Sequence, residues 1–198
     1  MSQQSPLRIA GVDEVGRGAL FGPVVVAAVM LSPEAAEALR ALGVRDSKQL
    51  SPRRRQALVE PIQARSIAYA VAEASVDEID RLNILGATLL AMRRAVELLD
   101  PAPEHCLVDG NRPIPELFCS QETVIQGDRH SIAIAAASIL AKVDRDAQIT
   151  RLAADYPGYD LAANKGYGTA VHRAALQRLG PTPLHRRSFA PCQFTLNV

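Results

Sequence analysis

The sequence predicts an α/β domain: a mixed β-sheet flanked by helices, with a helical portion at the C-terminal end. Three observations carry this reading. Two β-like runs, Leu7 to Val15 and Pro23 to Leu31, come first with only a glycine-bearing turn between them, so they form an antiparallel hairpin. Later β-like runs alternate with helical ones, an order that builds a sheet with helices packed on it. The apolar material is Ala, Val, Ile and Leu, with no tryptophan and 4% aromatics, a mixture suited to helices lying close on a sheet. The chain has 198 residues, 48% hydrophobic, which is ample for a core. No repeat, low-complexity segment or long linker divides it. Residues 1–198 therefore read as one domain, with about 165–198 as a basic C-terminal helical part and tail.

Each element follows from local signals. Leu7 to Val15 is a strand with acids at its end. Pro23 to Leu31 carries no polar residue and suits a central strand buried on both faces. Pro33 to Leu42 is a short helix ended by Gly43. Ser51 as N-cap and Pro52 in the first turn open a helix running to about Arg65. Ser66 to Ala74 alternates as a strand does. Asp77 to Leu82 makes one or two helical turns. Leu85, Leu89, Met92, Val96 and Leu99 then form a stripe at helical spacing, which Pro101 closes. Cys106 to Asp109 and Thr123 to Gln126 are short strands. Ser131 to about Asp155 is the longest helix, and Ala133, Ala135, Ala136, Ala137 and Ser138 allow it close approach to the sheet. Gly166 and Gly168 mark a loop, Thr169 to Leu179 is the last long helix, and Gly180 to Val198 is Pro-interrupted and irregular.

Composition narrows the function. The formal net charge of +1 neither points to nucleic acid nor excludes it. Its distribution is more telling: after Asp160 there is no acid, while Lys165, Arg173, Arg178, Arg186 and Arg187 follow. Cys106, Cys119 and Cys192 are odd in number, far apart in sequence and form no C-x-x-C pair, so a disulfide framework or zinc site is not expected. Met1 to Leu7 has no apolar signal core, and the longest apolar stretch, Val24 to Leu31, is too short for a bilayer. These features lead to the expectation of a soluble cytoplasmic protein without membrane contact, and of a monomer by default. His105, His130, His172 and His185 lack metal-ligand spacing and read as surface or capping residues.

Four acids stand at positions where a sheet can gather them. Asp13 and Glu14 end the first strand, Asp109 ends another, and Asp128 follows Gly127 at the start of a helix. Crowded carboxylates cannot all stay ionised without a cation, and hard divalent ions with oxygen ligands are the natural partner. Taken singly, each acid is more simply a turn or cap residue. Gly16-Arg17-Gly18 follows the acidic pair. Its glycines let backbone N–H groups approach a phosphate or sugar, and its arginine adds a charged fork. The dinucleotide-binding fingerprint fails here because Phe21 stands where a glycine is needed. Asp46-Ser47-Lys48 offers a hydroxyl and an ammonium suited to a phosphate oxygen. Tyr167, between Gly166 and Gly168, could stack on a sugar or base if exposed, or serve as a core anchor if not.

Together these segments resemble the ribonuclease HII family in order and spacing from about residue 9 to residue 192. The matching blocks are Gly11-Val12-Asp13-Glu14-Val15-Gly16-Arg17-Gly18 with Gly22-Pro23-Val24, then Asp46-Ser47-Lys48-Gln49-Leu50-Ser51, then Val108-Asp109-Gly110. Gly127-Asp128 with the run from Ser131 to Asp146, Asn164-Lys165-Gly166-Tyr167-Gly168-Thr169 with His172, and His185-Arg186-Arg187-Ser188-Phe189 complete the series. Gln126 and His130 stand where the family often has lysine. About eight residues precede the first strand, which disfavours the related ribonuclease HIII and its extra N-terminal domain.

The resemblance implies a ribonuclease H-like fold and an endonuclease that hydrolyses the phosphodiester on the 5′ side of a ribonucleotide. Its substrates would be RNA–DNA hybrids or duplex DNA containing ribonucleotides, and its products 3′-hydroxyl and 5′-phosphate ends. It implies Asp13, Glu14, Asp109 and Asp128 as catalytic acids, the first three as ligands of Mg²⁺ or Mn²⁺, in a two-metal hydrolysis. It implies Gly16, Arg17, Gly18, Ser47, Lys48 and Tyr167 as substrate-binding residues, with the basic C-terminal stretch following the phosphates. Two other readings compete: a non-catalytic nucleic-acid-binding protein on the same fold, disfavoured by the acids, and a metal-dependent phosphatase of small substrates. Finally, Gln193-Phe194-Thr195-Leu196 loosely resembles the short peptides that dock bacterial replication proteins on the sliding clamp, although Asn197 replaces the usual last aromatic. The plainer expectation is that Phe194 and Leu196 pack back on the domain.

Overall fold

The structure is a computed structural model and describes residues 7–193. Residues 194–196 of the clamp-like tail lie outside that range. The expected mixed sheet is present. Its five strands are β1 (Ile9–Val15), β2 (Val24–Met30), β3 (Ala68–Ala74), β4 (His105–Asp109) and β5 (Ser120–Val124), in the order β3-β2-β1-β4-β5. β1 pairs antiparallel with β2 and parallel with β4, and β4 pairs parallel with β5. All seven residues of β2 are buried, as its unbroken apolar run requires for a strand covered on both faces.

One face of the sheet packs on α3 (Val76–Glu97), burying Ala10, Val12, Val26, Ala28 and Met30 against Ile79, Ala91, Met92 and Val96. The other face packs on α1 (Pro33–Ala41), α2 (Pro52–Arg65) and α5 (Ile132–Leu152), burying Val25, Ala27 and Val29 against Leu39, Leu58, Ile62 and the alanines of α5. α5 lies very close to β1: a Cβ at Gly11 would overlap the backbone of Ala133 and Ile134. A third cluster joins Leu20, Phe21 and Ile149 to Tyr159, Leu161, Ala175, Leu176 and Cys192. It docks α6 (Leu161–Asn164), α7 (Ala170–Leu179) and the C-terminal segment on the turn after β1.

Several boundaries differ from the sequence reading, each for a local reason. The two helices expected over 77–99 join as α3 across a kink. Asn83 there takes φ 59° and ψ 169°, and its side chain caps the second half by accepting from Leu85 and Gly86 N–H at 2.9 and 3.1 Å. β5 spans Ser120–Val124 rather than Thr123–Gln126, because Gln126 turns left-handed (φ 54°) to open the single turn α4 (Gly127–His130). Ser131 is the N-cap of α5, accepting from Ile134 N–H, and the helix ends at Leu152, three residues early. Cys106 and Cys119 come together across the β4–β5 connection with their sulfurs 3.5 Å apart, and both are free thiols. Among the described residues, no helix is long and apolar enough to cross a membrane.

Candidate active site

The acids gather because of strand register. Val12 lies opposite Val108 in the parallel β1–β4 pair, so the next residues, Asp13 and Asp109, share the carboxyl-end edge of the sheet. That edge is where open α/β sheets bind ligands. Alternation along β1 sends Asp13 toward α5, where the nearby Ser138 hydroxyl lowers its carboxyl, and Glu14 toward α3, beside Thr88 and Met92. Asp13, Glu14 and Asp109 each present a carboxylate oxygen, and these oxygens all lie within 4.8 Å of one another. Asp109 is fixed by the Gly127 N–H at 2.7 Å, and Asp13 by the Glu14 N–H at 2.7 Å.

Burial pushes the Asp13 carboxyl well above the usual carboxylate range, and the charges of Glu14 and Asp109 push it further. Glu14 is also raised by burial, against the pull of Arg17, whose Nη1 lies 3.3 Å from Glu14 Oε1. Without a counter-ion, Asp13 and Glu14 hold protons more tightly than free carboxyls do. An all-oxygen, anionic donor set of this kind suits a hard divalent cation, which would supply the missing positive charge.

Asp128 stands apart from the trio. Its carboxyl is raised by burial and by its neighbours Asp46 and Asp109, while the carboxyl of Asp46 is held low by N–H groups of Lys48 and Gln49 despite its burial. Asp128 therefore holds a proton more tightly than Asp46 does. Asp46, noted in the sequence only as a loop residue, is 5% exposed and belongs to the site's edge. Lys48 is exposed and close enough to lower both Glu14 and Asp128.

The remaining candidates are placed unevenly. Arg17 and Gly18 are exposed, and a Cβ at Gly18 would meet nothing within 4 Å. Gly16 is buried with φ +93°, and a Cβ there would overlap the Arg145 guanidinium. Ser47 is buried, and its hydroxyl is bonded to Ser138 at 2.9 Å, so it supports the helix carrying Asp13's partner and is not an open phosphate ligand. Tyr167 is half-buried: its backbone bridges to Ala19, and its ring lies 5.5 Å from both Lys142 Nζ and Arg145 Cζ.

The histidine reading is corrected for two of the four. His172 and His185 are fully buried, with their Nε2 atoms 3.0 Å apart. His185 Nδ1 accepts from Thr182 N–H, so its Nε2–H donates to His172, whose Nδ1–H donates to the Tyr167 carbonyl at 2.9 Å. The basic stretch is corrected as well: Arg186 is fully buried and faces backbone carbonyls, while Arg173, Arg178 and Arg187 remain exposed. A sequence signal for part of this did exist. Ser138, Lys142 and Arg145 recur at helical spacing along one face of α5, a polar stripe on a helix that must be buried.

A mixed sheet that gathers carboxylates where its two parallel central strands end is the architecture of the ribonuclease H-like class, with an acid cluster suited to a divalent metal. The family within that class comes from comparison with known proteins. The model of the ribonuclease HII family matches residues 10–192. A ribonuclease HII of Acaryochloris marina is 62% identical over 189 residues, 96% of each chain. The ribonuclease H2 structure from Pyrococcus horikoshii superposes with a TM-score of 0.79 at 27% identity, covering 94% of this chain and 95% of that one. The ribonuclease HII of Archaeoglobus fulgidus, solved in complex with PCNA, gives 0.73 at 32% identity over 87% and 88%. A Bst ribonuclease HIII solved with Mn²⁺ gives 0.70 at 25% identity over 94% of this chain and 68% of that one. The chain belongs to the ribonuclease HII family, and is an endoribonuclease with ribonuclease H activity on RNA–DNA that depends on a divalent metal.

Proposed function

We propose that the protein nicks duplexes on the 5′ side of a ribonucleotide, including a single one embedded in DNA, leaving 3′-hydroxyl and 5′-phosphate ends. The observation that carries this is the exposed Gly18, with open space over it, on the turn that leads directly from Asp13 and Glu14. A 2′-hydroxyl is the group that distinguishes RNA from DNA at a site, and a glycine backbone can reach it without a side chain between.

In this reading Asp13, Glu14 and Asp109 hold Mg²⁺ or Mn²⁺. When bound, the cation supplies charge stabilisation at the phosphate and eases deprotonation of the attacking water. Gly16, Arg17 and Gly18 receive the sugar and adjacent phosphate, Tyr167 packs on the neighbouring sugar, and Lys48 meets a phosphate. Asp128, whose carboxyl is raised by burial and by Asp46 and Asp109, acts in this reading as the acid that gives the leaving 3′-oxygen its proton as the bond to phosphorus breaks. The exposed Arg173, Arg178 and Arg187 attract the duplex backbone. The protein is taken as a cytoplasmic monomer. A weak clamp contact through the tail draws support from the PCNA complex of the Archaeoglobus relative.

The test is a duplex carrying one ribonucleotide, incubated with Mg²⁺, with Mn²⁺ and with chelator. The expected product is one metal-dependent nick whose 3′ end a polymerase extends directly. Cleavage of long hybrids with no nick at the single ribonucleotide would overturn the reading. Hydrolysis of a phosphomonoester with no action on either duplex would favour the phosphatase instead.

A further inference from the structure

Beneath the glycine turn lies a layer of buried charge that the reading above leaves unused. Arg145 of α5 and Arg186 of the C-terminal segment are both fully buried. Arg145 donates from Nε to Pro23 O at 3.0 Å, from Nη2 to Phe21 O at 2.9 Å and from Nη1 to Lys165 O at 2.9 Å. Arg186 approaches the same turn, donating from Nε to Gly22 O at 2.9 Å, from Nη1 to Arg17 O at 2.9 Å and from Nη2 to Pro23 O at 3.1 Å. Five of these six bonds end on carbonyls of residues 17–23. Among the described residues, neither guanidinium forms an ion pair.

Two buried cations without carboxylates are an expensive way to tie down one turn, since burying unpaired charge works against stability. Stability alone does not account for the choice. A planar guanidinium with five N–H donors in a fixed fork can fix three carbonyls in mutual position, which neither lysine nor an apolar side chain can. The same groups reach the other parts of the proposed sugar site. Gly16 has no Cβ where one would overlap Arg145, so the guanidinium lies flush beneath the turn. The Tyr167 ring centroid is 5.5 Å from Arg145 Cζ. Backbone bonds close the assembly: Leu20 and Phe21 N–H donate to Gly166 O at 2.8 and 3.3 Å, and Arg186 N–H donates to Leu20 O at 2.9 Å.

We propose that Arg145 and Arg186 are positioning residues for ribonucleotide selection, setting the offset of the Gly16–Gly18 turn and Tyr167 from the acidic trio. The proposal rests on the assignment of that turn to the sugar. It differs from a purely structural role in one respect. A structural role loses stability and acts on all duplexes alike, whereas a positioning role loses the preference for the 2′-hydroxyl.

The experiment uses the full chain and the variants Arg145→Lys and Arg186→Lys, which keep the charge and remove the fork. Affinity is measured in Ca²⁺ for two duplexes that differ only in one 2′-hydroxyl, and cleavage of the ribonucleotide duplex is measured in Mg²⁺. Mn²⁺ binding to the trio is measured by calorimetry as a control. The expected result is unchanged Mn²⁺ binding, a ribonucleotide-to-DNA affinity ratio that falls toward one, and a kcat lower by about 100-fold, the scale of a misplacement near 1 Å. Variants that lose rate or melting temperature but keep the wild-type ratio overturn the proposal and leave the sugar assignment standing. A wild-type protein that binds both duplexes equally overturns the assignment and the proposal together. Should the variants not fold, hydrogen exchange on the wild type decides. Amides of residues 19–22 protected in the free protein, with no gain on binding the duplex, support arginines that pre-set the turn. Fast exchange that slows only when the duplex binds overturns it.

Discussion

Asp13 behaves differently from an ordinary surface acid because it is buried and faces two other acids. Its folded-state pKa is raised, so its contribution to stability is present below the unfolded value and is lost as pH rises. Above the unfolded value and without metal, burying this acid therefore opposes folding. Asp13→Asn is expected to raise the melting temperature in chelator, and to abolish the further rise that Mn²⁺ gives the wild type. Cleavage should fall by more than the roughly 10–100-fold typical of a residue that only supports a ligand. Differential scanning with and without Mn²⁺ checks the first part, and unchanged turnover in Asp13→Asn or Asp109→Asn would remove both from the metal site. The two glycines of the turn separate for a similar local reason. Gly18→Ala places its Cβ in open space, so the fold should hold while cleavage at a ribonucleotide drops. Gly16→Ala places a Cβ into Arg145 at a positive φ, so it should cost about 1–3 kcal/mol of stability as well. Equal melting temperatures for the two variants would contradict this assignment of their Cβ directions.

At the scale of elements, α3 shows how capping and charge combine. Ser75 accepts from Glu78 N–H at 3.2 Å, and Glu78 accepts from Ser75 N–H at 2.9 Å, a reciprocal capping box. Arg94, from the far half of the helix, donates to both Glu78 oxygens at 3.0 and 2.7 Å. This bidentate pairing, helped by the cap, holds Glu78 down at about 2 against an ordinary 4.5. A depressed folded pKa means stability that is present above 4.5 and lost as pH falls toward 2. Glu78→Gln keeps the cap and loses the ion pair, so it should cost about 1 kcal/mol at neutral pH. That difference should shrink below pH 4.5, and one that persists to pH 2 would mean the ion pair is not its source. The close packing of α5 on β1 makes a second element-scale expectation. Gly11→Ala would overlap the helix backbone itself, where no flexible side chain can yield, and should destabilise by about 1–3 kcal/mol in denaturant titration.

Across the whole molecule, the C-terminal portion is held to the turn after β1 by polar groups as much as by apolar ones. Burial, and then the neighbouring His172, lower His185 to about 4, and His172 is lowered by burial too. Both histidines are neutral in the fold, so the stability they represent is present above about 6.5 and is lost as pH falls toward 4. Chemical denaturation across that window should show a decline that His185→Asn reduces. A flat profile in the wild type would mean that the pair opens without cost. Tail truncation should respect the same packing. Cys192 is buried in the third cluster beside Leu20, so a clean test of clamp docking removes residues after Gln193, not after Pro191. On the docking reading the shorter chain melts as the full one does and loses clamp pull-down; a lower melting temperature would mean that Phe194 and Leu196 pack on the domain.

The sequence by itself determined the sheet, its hairpin start, most helices and the three acids at strand ends. Those features are written in periodicity, caps and turn residues that act within a few positions of one another. Its readings went astray at contacts between distant segments. Arg186 and His185 looked like part of a solvated basic tail, and they are buried because the tail lies under a turn more than 160 residues away. The Cys106–Cys119 proximity, the nearness of Asp46 to Asp128 and the inward face of Gly16 have the same origin. Charge and polarity in a sequence report what a side chain prefers in water. Only the tertiary structure decides which backbone carbonyls, across the fold, offer a buried guanidinium or imidazole enough hydrogen bonds to replace that water.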